Sequence, residues 1–189
     1  MSEKNVLAIL GSPHVNGITA AMLDCAVCKA KRAGYAVTEI NLYEKNLSYC
    51  KGCRVCMKTQ ICIQKDDIQE IAHLIHNCHM VILAAPVYWA NVPASVKNLF
   101  DRLLGTAMEE TSTFPKPHLQ GKKYLLLTSC NTPAPFSWIF GQSKGAIRNM
   151  DEFFKTAGMK PIGKIVCAGT TNKKELPKQT IKKIERCIK

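Results

Sequence analysis

The chain has 189 residues and a mass of 21.0 kDa, with 47% hydrophobic residues and a mean hydropathy of −0.06, values that fit one globular domain and exclude a fibrous or disordered class. The net charge of +12 invites a nucleic-acid reading, but residues 173–189 alone hold seven Lys or Arg against two Glu, and no Arg- and aromatic-rich strip suited to stacking bases is present, so no nucleic acid is expected as a partner. No apolar run reaches the ~18 residues that span a bilayer, and the opening MSEKN lacks an apolar h-region, so the ten cysteines are read as reduced thiols or metal ligands in a cytoplasmic setting with no membrane contact.

The elements follow in a regular order. VLAIL (6–10) is a continuous apolar run closed by Gly11, which suits a strand buried on both faces. A helix is predicted from Gly17 to Ala33, with Gly34 as its stop. AVTEINL (36–42) alternates as a more exposed strand, and a cysteine-rich loop follows it. DDIQEIAHLIHNC (66–78) is predicted helical, with Asp66 and Asp67 at its positive N-terminal end. MVILAA (80–85) is a second buried strand ended by Pro86, and PASVKNLFDRLL (93–104) a helix that opens on proline. KYLLLTS (123–129) is the third buried strand, KGAIRNMDEFFKTAG (144–158) a helix and GKIVCAG (163–169) the last strand. In the tail, Leu176, Ile181, Ile184 and Ile188 give an amphipathic helix with a basic solvated face.

Strands that alternate with helices imply a parallel sheet covered on both faces, an α/β fold spanning residues 1–189 as one domain. Ligands in such sheets bind beyond the carboxyl ends of the strands. The loops that matter therefore start at Gly11, Pro86 and Ser129.

GSPHVNGITAAM joins the first strand to the first helix. Ser12, Asn16 and Thr19 offer side-chain donors there, and the backbone N–H groups from Gly17 to Ala20 point at the same space, where an anion would gain hydrogen bonds and the positive end of the helix dipole. The loop is not a P-loop, because G-K-[ST] is absent, and not a dinucleotide fingerprint, because G-x-G-x-x-G is absent. Tyr88 and Trp89 follow the second buried strand, placed to lie against a flat ring, and Thr128, Ser129 and Asn131 follow the third. A phosphate cradle, an aromatic ledge and a polar third loop together describe a site for flavin mononucleotide (FMN).

GSPHVNGIT, CKGCRVC, KDD and PVYWANVPASVKNLFDR, which lie within residues 5–130, resemble the flavodoxin-like, NAD(P)H-dependent FMN reductase family, with its iron–sulfur flavoprotein branch matching best in pattern. The resemblance implies a flavodoxin-like five-stranded sheet of order 2-1-3-4-5, FMN as cofactor, and a homodimer or homotetramer with FMN near a subunit interface. It implies that Ser12, Gly17, Ile18 and Thr19 hold the phosphate. Pro86, Val87, Tyr88, Trp89, Ala90 and Asn91 would wrap the isoalloxazine ring, and Ser129, Cys130 and Asn131 would close its other side. The chain departs from the family at His14, where Arg is usual, and at Ile18, where Asn or Ser is usual. Each change removes a contact worth about 1–3 kcal/mol to a charged group, with the backbone donor of Ile18 retained and Asn16 available in compensation.

Cys50, Cys53, Cys56 and Cys62 are spaced C-x2-C-x2-C-x5-C. Zinc ribbons pair two knuckles across a longer gap, so this compact run is a poor zinc match. It is similar to the ligand runs of 4Fe–4S clusters, and Lys51, Arg54, Lys58 and Lys65 would favour an anionic cluster. Flavin-only members of the wider family keep a similar loop without a cluster, so cluster ligands and a redox-sensitive set of free thiols both stand. Cys25, Cys28, Cys78, Cys167 and Cys187 read as small buried hydrophobes, and Cys130 as a thiol near the flavin. The five histidines show no metal-ligand spacing.

Two functions follow. One is an oxidoreductase in which NAD(P)H reduces the flavin and electrons pass to a quinone, free flavin or another small-molecule acceptor, with no acid–base dyad because the cofactor carries the chemistry. The other is an iron–sulfur flavoprotein electron carrier that takes electrons from ferredoxin.

Overall fold

The computed structural model describes residues 4–189, and the first three residues of the polar opening lie outside them. Strands β1 (Asn5–Leu10), β3 (Met80–Pro86) and β6 (Lys123–Cys130) are the three apolar runs, each buried almost throughout. With β2 (Ala36–Asn41) and β7 (Lys160–Ala168) they form a five-stranded sheet in the order β2-β1-β3-β6-β7, every pair parallel. Numbering only these strands gives 2-1-3-4-5, the order that the resemblance implied. A separate two-stranded antiparallel ribbon, β4 (Met108–Glu109) with β5 (Lys116–Pro117), stands apart from the sheet.

Side chains alternate between the two faces because the strand repeat is two residues. Leu7, Ile9, Val81, Leu83 and Leu126 point to one face, where helices α3 (Ile68–Asn77), α4 (Ala94–Arg102) and α7 (Gln142–Thr156) pack. Val6, Ala8, Ile82, Leu125 and Leu127 point to the other, covered by α1 (Ile18–Arg32) and α8 (Lys178–Cys187). On α7, buried Asp151 accepts a hydrogen bond from Tyr124 at 2.6 Å and pairs with Lys155 and Lys164, joining the helix to β6 and β7. Burial pushes the Tyr124 hydroxyl above its usual range, and the hydrogen bond to Asp151 adds to the effect.

Three short helices occupy stretches read as loops in the sequence: α2 (Cys56–Thr59), α5 (Leu104–Ala107) and α6 (Phe136–Ile139). Each is a single turn, too short for an apolar periodicity to register. α3 starts at Ile68 with Asp67 as its N-cap, and the Asp66 side chain accepts from Ile68 N–H at 3.2 Å while pairing with Arg102. Among the described residues no helix is long and apolar enough to cross a membrane.

Candidate functional site

The loop after β1 stays against the sheet because Gly11 N–H donates to Ala84 O at 2.8 Å. A Cβ at Gly11 would collide with Val96 of α4, so only glycine allows that approach. The chain then turns, His14 N–H donating to the buried Ser12 hydroxyl at 3.2 Å, and α1 begins after Gly17 with no side-chain cap. The first helical bond is Ala21 N–H to Gly17 O at 3.0 Å, so the N–H groups of Ile18, Thr19 and Ala20 precede the ladder. Thr19 and Ser129, both buried, share a hydroxyl–hydroxyl hydrogen bond of 2.6 Å that ties this turn to the end of β6. These residues wall a cleft of about 380 Å³ at the carboxyl edge of the sheet.

Ten of the fifteen residues singled out for a cofactor line that cleft: Ser12, His14, Gly17, Ile18 and Thr19 from the first loop, Pro86, Val87 and Tyr88 from the second, Ser129 and Asn131 from the third. Val87 N–H donates to Ser129 O at 2.9 Å, which holds the second and third loops together. Asn16 is exposed outside the lining. Cys130 is buried behind it, its thiol 3.8 Å from Gln142 Oε1.

Trp89, Ala90 and Asn91 also lie outside the lining, and their geometry gives the reason. Tyr88 and Asn91 exchange two backbone hydrogen bonds of 2.8 and 2.9 Å, with Trp89 at φ 50° and Ala90 at φ 58° between them. This is a tight reversal of type I′ character built from residues that resist left-handed φ. It sits against α7, where a Cβ at position 145 would collide with Ala90 O, so Gly145 makes the contact possible. The turn leaves Trp89 100% exposed.

Thr170 and Lys173, from the loop after β7, complete the lining and went unnoticed in the sequence. Thr170 donates to Asn131 Oδ1 at 3.0 Å, and Lys173 Nζ donates to Ala168 O at 2.8 Å and Gly169 O at 2.6 Å. The signal was present: the last predicted strand ends at this same edge, and TTNKK follows it. Among the described residues that line the cleft there is no carboxylate. Uncapped helix donors, buried hydroxyls and an ammonium group form a donor set suited to an anion, which fits the phosphate of a mononucleotide.

The cysteine loop is a separate region. Cys50 and Cys53 are exposed, Cys56 and Cys62 half-buried, and none of the four lines the cleft. Cys50 borders a different cavity of about 480 Å³, beside Phe100 and Phe153, whereas Cys56 packs against α5 where Gly105 leaves room for its backbone. Among the described residues no group of three or more His, Cys, Asp or Glu is placed to hold a metal ion.

What the loop does have is an anchor. Arg102, with a fully buried side chain, makes a two-pronged ion pair at 2.8 Å with Asp66, itself 4% exposed. Arg102 also donates to Ser48 O and, through Nε, to Cys62 Sγ at 3.3 Å. Burial alone would raise the Asp66 carboxyl, but Arg102 and the N–H groups of Ser48 and Ile68 bring it down to about 2. Gln69 donates to Cys62 O at 3.0 Å, and Asn98 to Leu47 O and Ser48 O.

The sequence model for the flavodoxin-like fold matches residues 4–188. Proteins of similar sequence include an iron–sulfur flavoprotein of Archaeoglobus fulgidus, 39% identical over 98 residues covering 52% of this chain and 44% of that one. Another, from Methanosarcina thermophila, is 32% identical over 97 residues, 51% of each chain. The chain spans about half the length of these relatives. Solved structures of the same shape include an NAD(P)H:quinone oxidoreductase from Methanothermobacter marburgensis (TM-score 0.79, 15% identity, 98% of this chain and 97% of that one). An FMN-dependent NADH-azoreductase from Bacillus anthracis in complex with FMN superposes with TM-score 0.73 at 13% identity, over 97% and 94% of the two chains. At these identities the structural likeness is one of fold. With the sequence match running from residue 4 to 188 and the strand order 2-1-3-4-5, the chain belongs to the flavodoxin-like fold family.

Proposed function

We propose that this chain is an FMN-binding oxidoreductase that takes electrons from NADH or NADPH and passes them to a small-molecule acceptor such as a quinone or free flavin. The observation that carries the reading is the cleft itself, where the uncapped first turn of α1 meets the buried Ser12, Thr19 and Ser129 hydroxyls. The bound flavin supplies hydride acceptance and its onward transfer, chemistry that no side chain offers. The residues around it bind and orient. Ser12, Thr19 and the N–H groups of Ile18 and Ala20 hold the phosphate, while Pro86, Val87 and Tyr88 support one side of the ring and Ser129 and Asn131 the other. Assembly as a homodimer or homotetramer in the cytoplasm belongs to the same reading.

A second reading is the iron–sulfur flavoprotein electron carrier, with ferredoxin as donor and a 4Fe–4S cluster on Cys50, Cys53, Cys56 and Cys62. Its support is the cysteine spacing together with the relatives of that name, one of them 39% identical. In this reading Cys50, Cys53, Cys56 and Cys62 would hold the cluster, which would supply one-electron transfer to the flavin.

One preparation tests both. Full-length protein purified without oxygen should retain or take up FMN at micromolar concentration, and the loaded protein should be reduced by NADH or NADPH. Protein that takes up no FMN overturns the first reading. Acid-labile sulfide with broad absorbance near ~400 nm beyond the flavin would establish the second, and its absence after reconstitution with iron and sulfide would remove it.

A further inference from the structure

The loop between β7 and α8 supplies the cleft with its lysine, and the topology fixes the end at which it stands. α1 and α8 cover the same face of the sheet and pack into one core, Ala26 and Ala30 with Ile184 and Ile188. Both helices begin at the carboxyl edge, so the loop leading into α8 lies beside the uncapped first turn of α1. The loop after β3 leaves toward α4, on the opposite face. Lys173 therefore belongs to the α1 end of the cleft, away from the Tyr88–Asn91 turn.

We propose that Lys173 is the phosphate-recognising cation of this site and makes it prefer a 5′-phosphorylated flavin to an unphosphorylated one; the inference rests on the flavin reading above. Three observations support it. Among the described lining residues there is no arginine and no carboxylate, so an anion entering the cleft meets Lys173 unopposed. The ammonium is already held in place, since Lys173 N–H closes a turn on Thr170 O at 3.0 Å and Nζ donates to Ala168 O and Gly169 O. An ammonium has three protons, so one remains for a phosphate oxygen, and a group fixed beforehand loses little rotamer freedom on binding. Helix N–H groups and hydroxyls supply the phosphate with hydrogen bonds but only a partial positive charge.

The competing view is that Lys173 only clips the turn at Gly169, and the two views part on flavin selectivity. Binding of FMN and of riboflavin to the full-length apoprotein is measured by quenching of flavin fluorescence, for wild type, Lys173→Met, Lys173→Arg and Lys174→Met. Lys174 is exposed and outside the cleft lining, so its variant removes the same unit of charge without the contact. Lys173→Met should weaken FMN about tenfold and leave riboflavin within about twofold, because the lost contact is charge-assisted and made only to phosphate. Lys173→Arg should hold FMN within about threefold, since the charge and donors are kept. Lys174→Met should leave both ligands at wild-type affinity. Unchanged FMN affinity in Lys173→Met would leave the lysine as a turn clip, and equal losses for both flavins would place it against the ring. Wild-type protein that binds riboflavin as tightly as FMN would also overturn this inference while leaving the flavin reading intact. Wild type that binds neither flavin would end both.

Discussion

At the cleft three of the loops leave directly from buried strands, whereas the cysteine loop between β2 and α3 rests on scattered side-chain contacts, among them Arg54 with Glu110 and the Thr106 hydroxyl with Gln60 O. Gly11, Val87 and Ser129 take their positions from the backbone ladder of β1, β3 and β6, and their side chains have little to do with it. The cysteine loop starts from an edge strand and has no such template. It is held by side chains: Asp66 and Asp67 accept from Ser48 and Asn46 N–H at 2.9 and 2.7 Å, and Arg102 closes the joint from α4. Between Ser48 and Asp66, Tyr49 and Ile61 are exposed, and Arg54 and Gln60 take left-handed backbone angles. A site placed by backbone tolerates side-chain substitution. A loop held by side chains depends on them, above all on the buried Arg102–Asp66 pair.

Removing that pair is the largest perturbation available. Arg102→Met should cost about 3–5 kcal/mol in urea unfolding, because it leaves the Asp66 carboxylate buried and unpaired. It should also open residues 49–61 to limited proteolysis before the sheet is cut. The pH dependence carries its own signature. In the wild type the folded carboxyl at about 2 lies below its usual 3.8, so its stabilisation is complete above about pH 5 and is lost as pH falls toward 2. That acid-sensitive share amounts to about 2 kcal/mol. In Arg102→Met only the N–H groups of Ser48 and Ile68 still oppose burial, so the Asp66 pKa rises and stability should fall less steeply toward pH 2 than in the wild type. A variant that loses under about 1 kcal/mol and keeps the wild-type acid profile would show that the loop is located by something else.

The unequal legibility of the two regions has the same origin. β1, β3 and β6 were readable because a doubly buried strand is a continuous apolar run, and once they are placed in a parallel sheet the ends of their loops must converge. Ser12, Thr19, Pro86 and Ser129 were found in that way. Lys173 follows the last strand, which ends at the same edge but is not itself a buried apolar run, and Asn16 lies exposed outside the lining. Trp89 was read as a ring ledge, yet its orientation is set by left-handed angles that no residue type at 89 or 90 announces. The KDD and DR stretches are both visible in the sequence. Asp66 does stand at the start of α3, accepting from Ile68 N–H, but that it also closes on Arg102 across 36 residues is tertiary information no local rule supplies. The cysteine spacing is legible as a pattern in the sequence, while the exposure of Cys50 and Cys53 is set by the fold.

A smaller effect probes the backbone-built side. Thr19→Ala removes one hydroxyl from the cleft and leaves that of Ser129 without its partner at 2.6 Å. The folding cost should be about 1 kcal/mol, while FMN affinity should fall about tenfold or more, since the phosphate loses a charge-assisted contact as well. Thermal unfolding of the apoprotein set against a flavin titration separates the two. Equal losses in both would make Thr19 a strut between α1 and β6 rather than a ligand contact.

The smallest predicted effect is a gain. Ala90 at φ 58° stands where glycine pays no steric penalty, and its carbonyl is packed on Gly145 so that the turn cannot relax by moving away. Ala90→Gly should therefore stabilise the folded protein by about 0.5–1 kcal/mol, the relief of left-handed strain less the extra freedom that glycine gives the unfolded chain. The contrasting variant is Gly145→Ala, which forces the turn off α7 and should destabilise by about 1–3 kcal/mol through overpacking. If the strain serves only to shape the turn, Ala90→Gly should be more stable and bind FMN unchanged, because Tyr88 and Asn91 still close the turn with both hydrogen bonds. Should Ala90→Gly instead weaken FMN while raising the unfolding temperature, the rigidity of the turn, and not its shape alone, would be part of the binding site. That would separate this loop from the other walls of the cleft, which the sheet holds without strain.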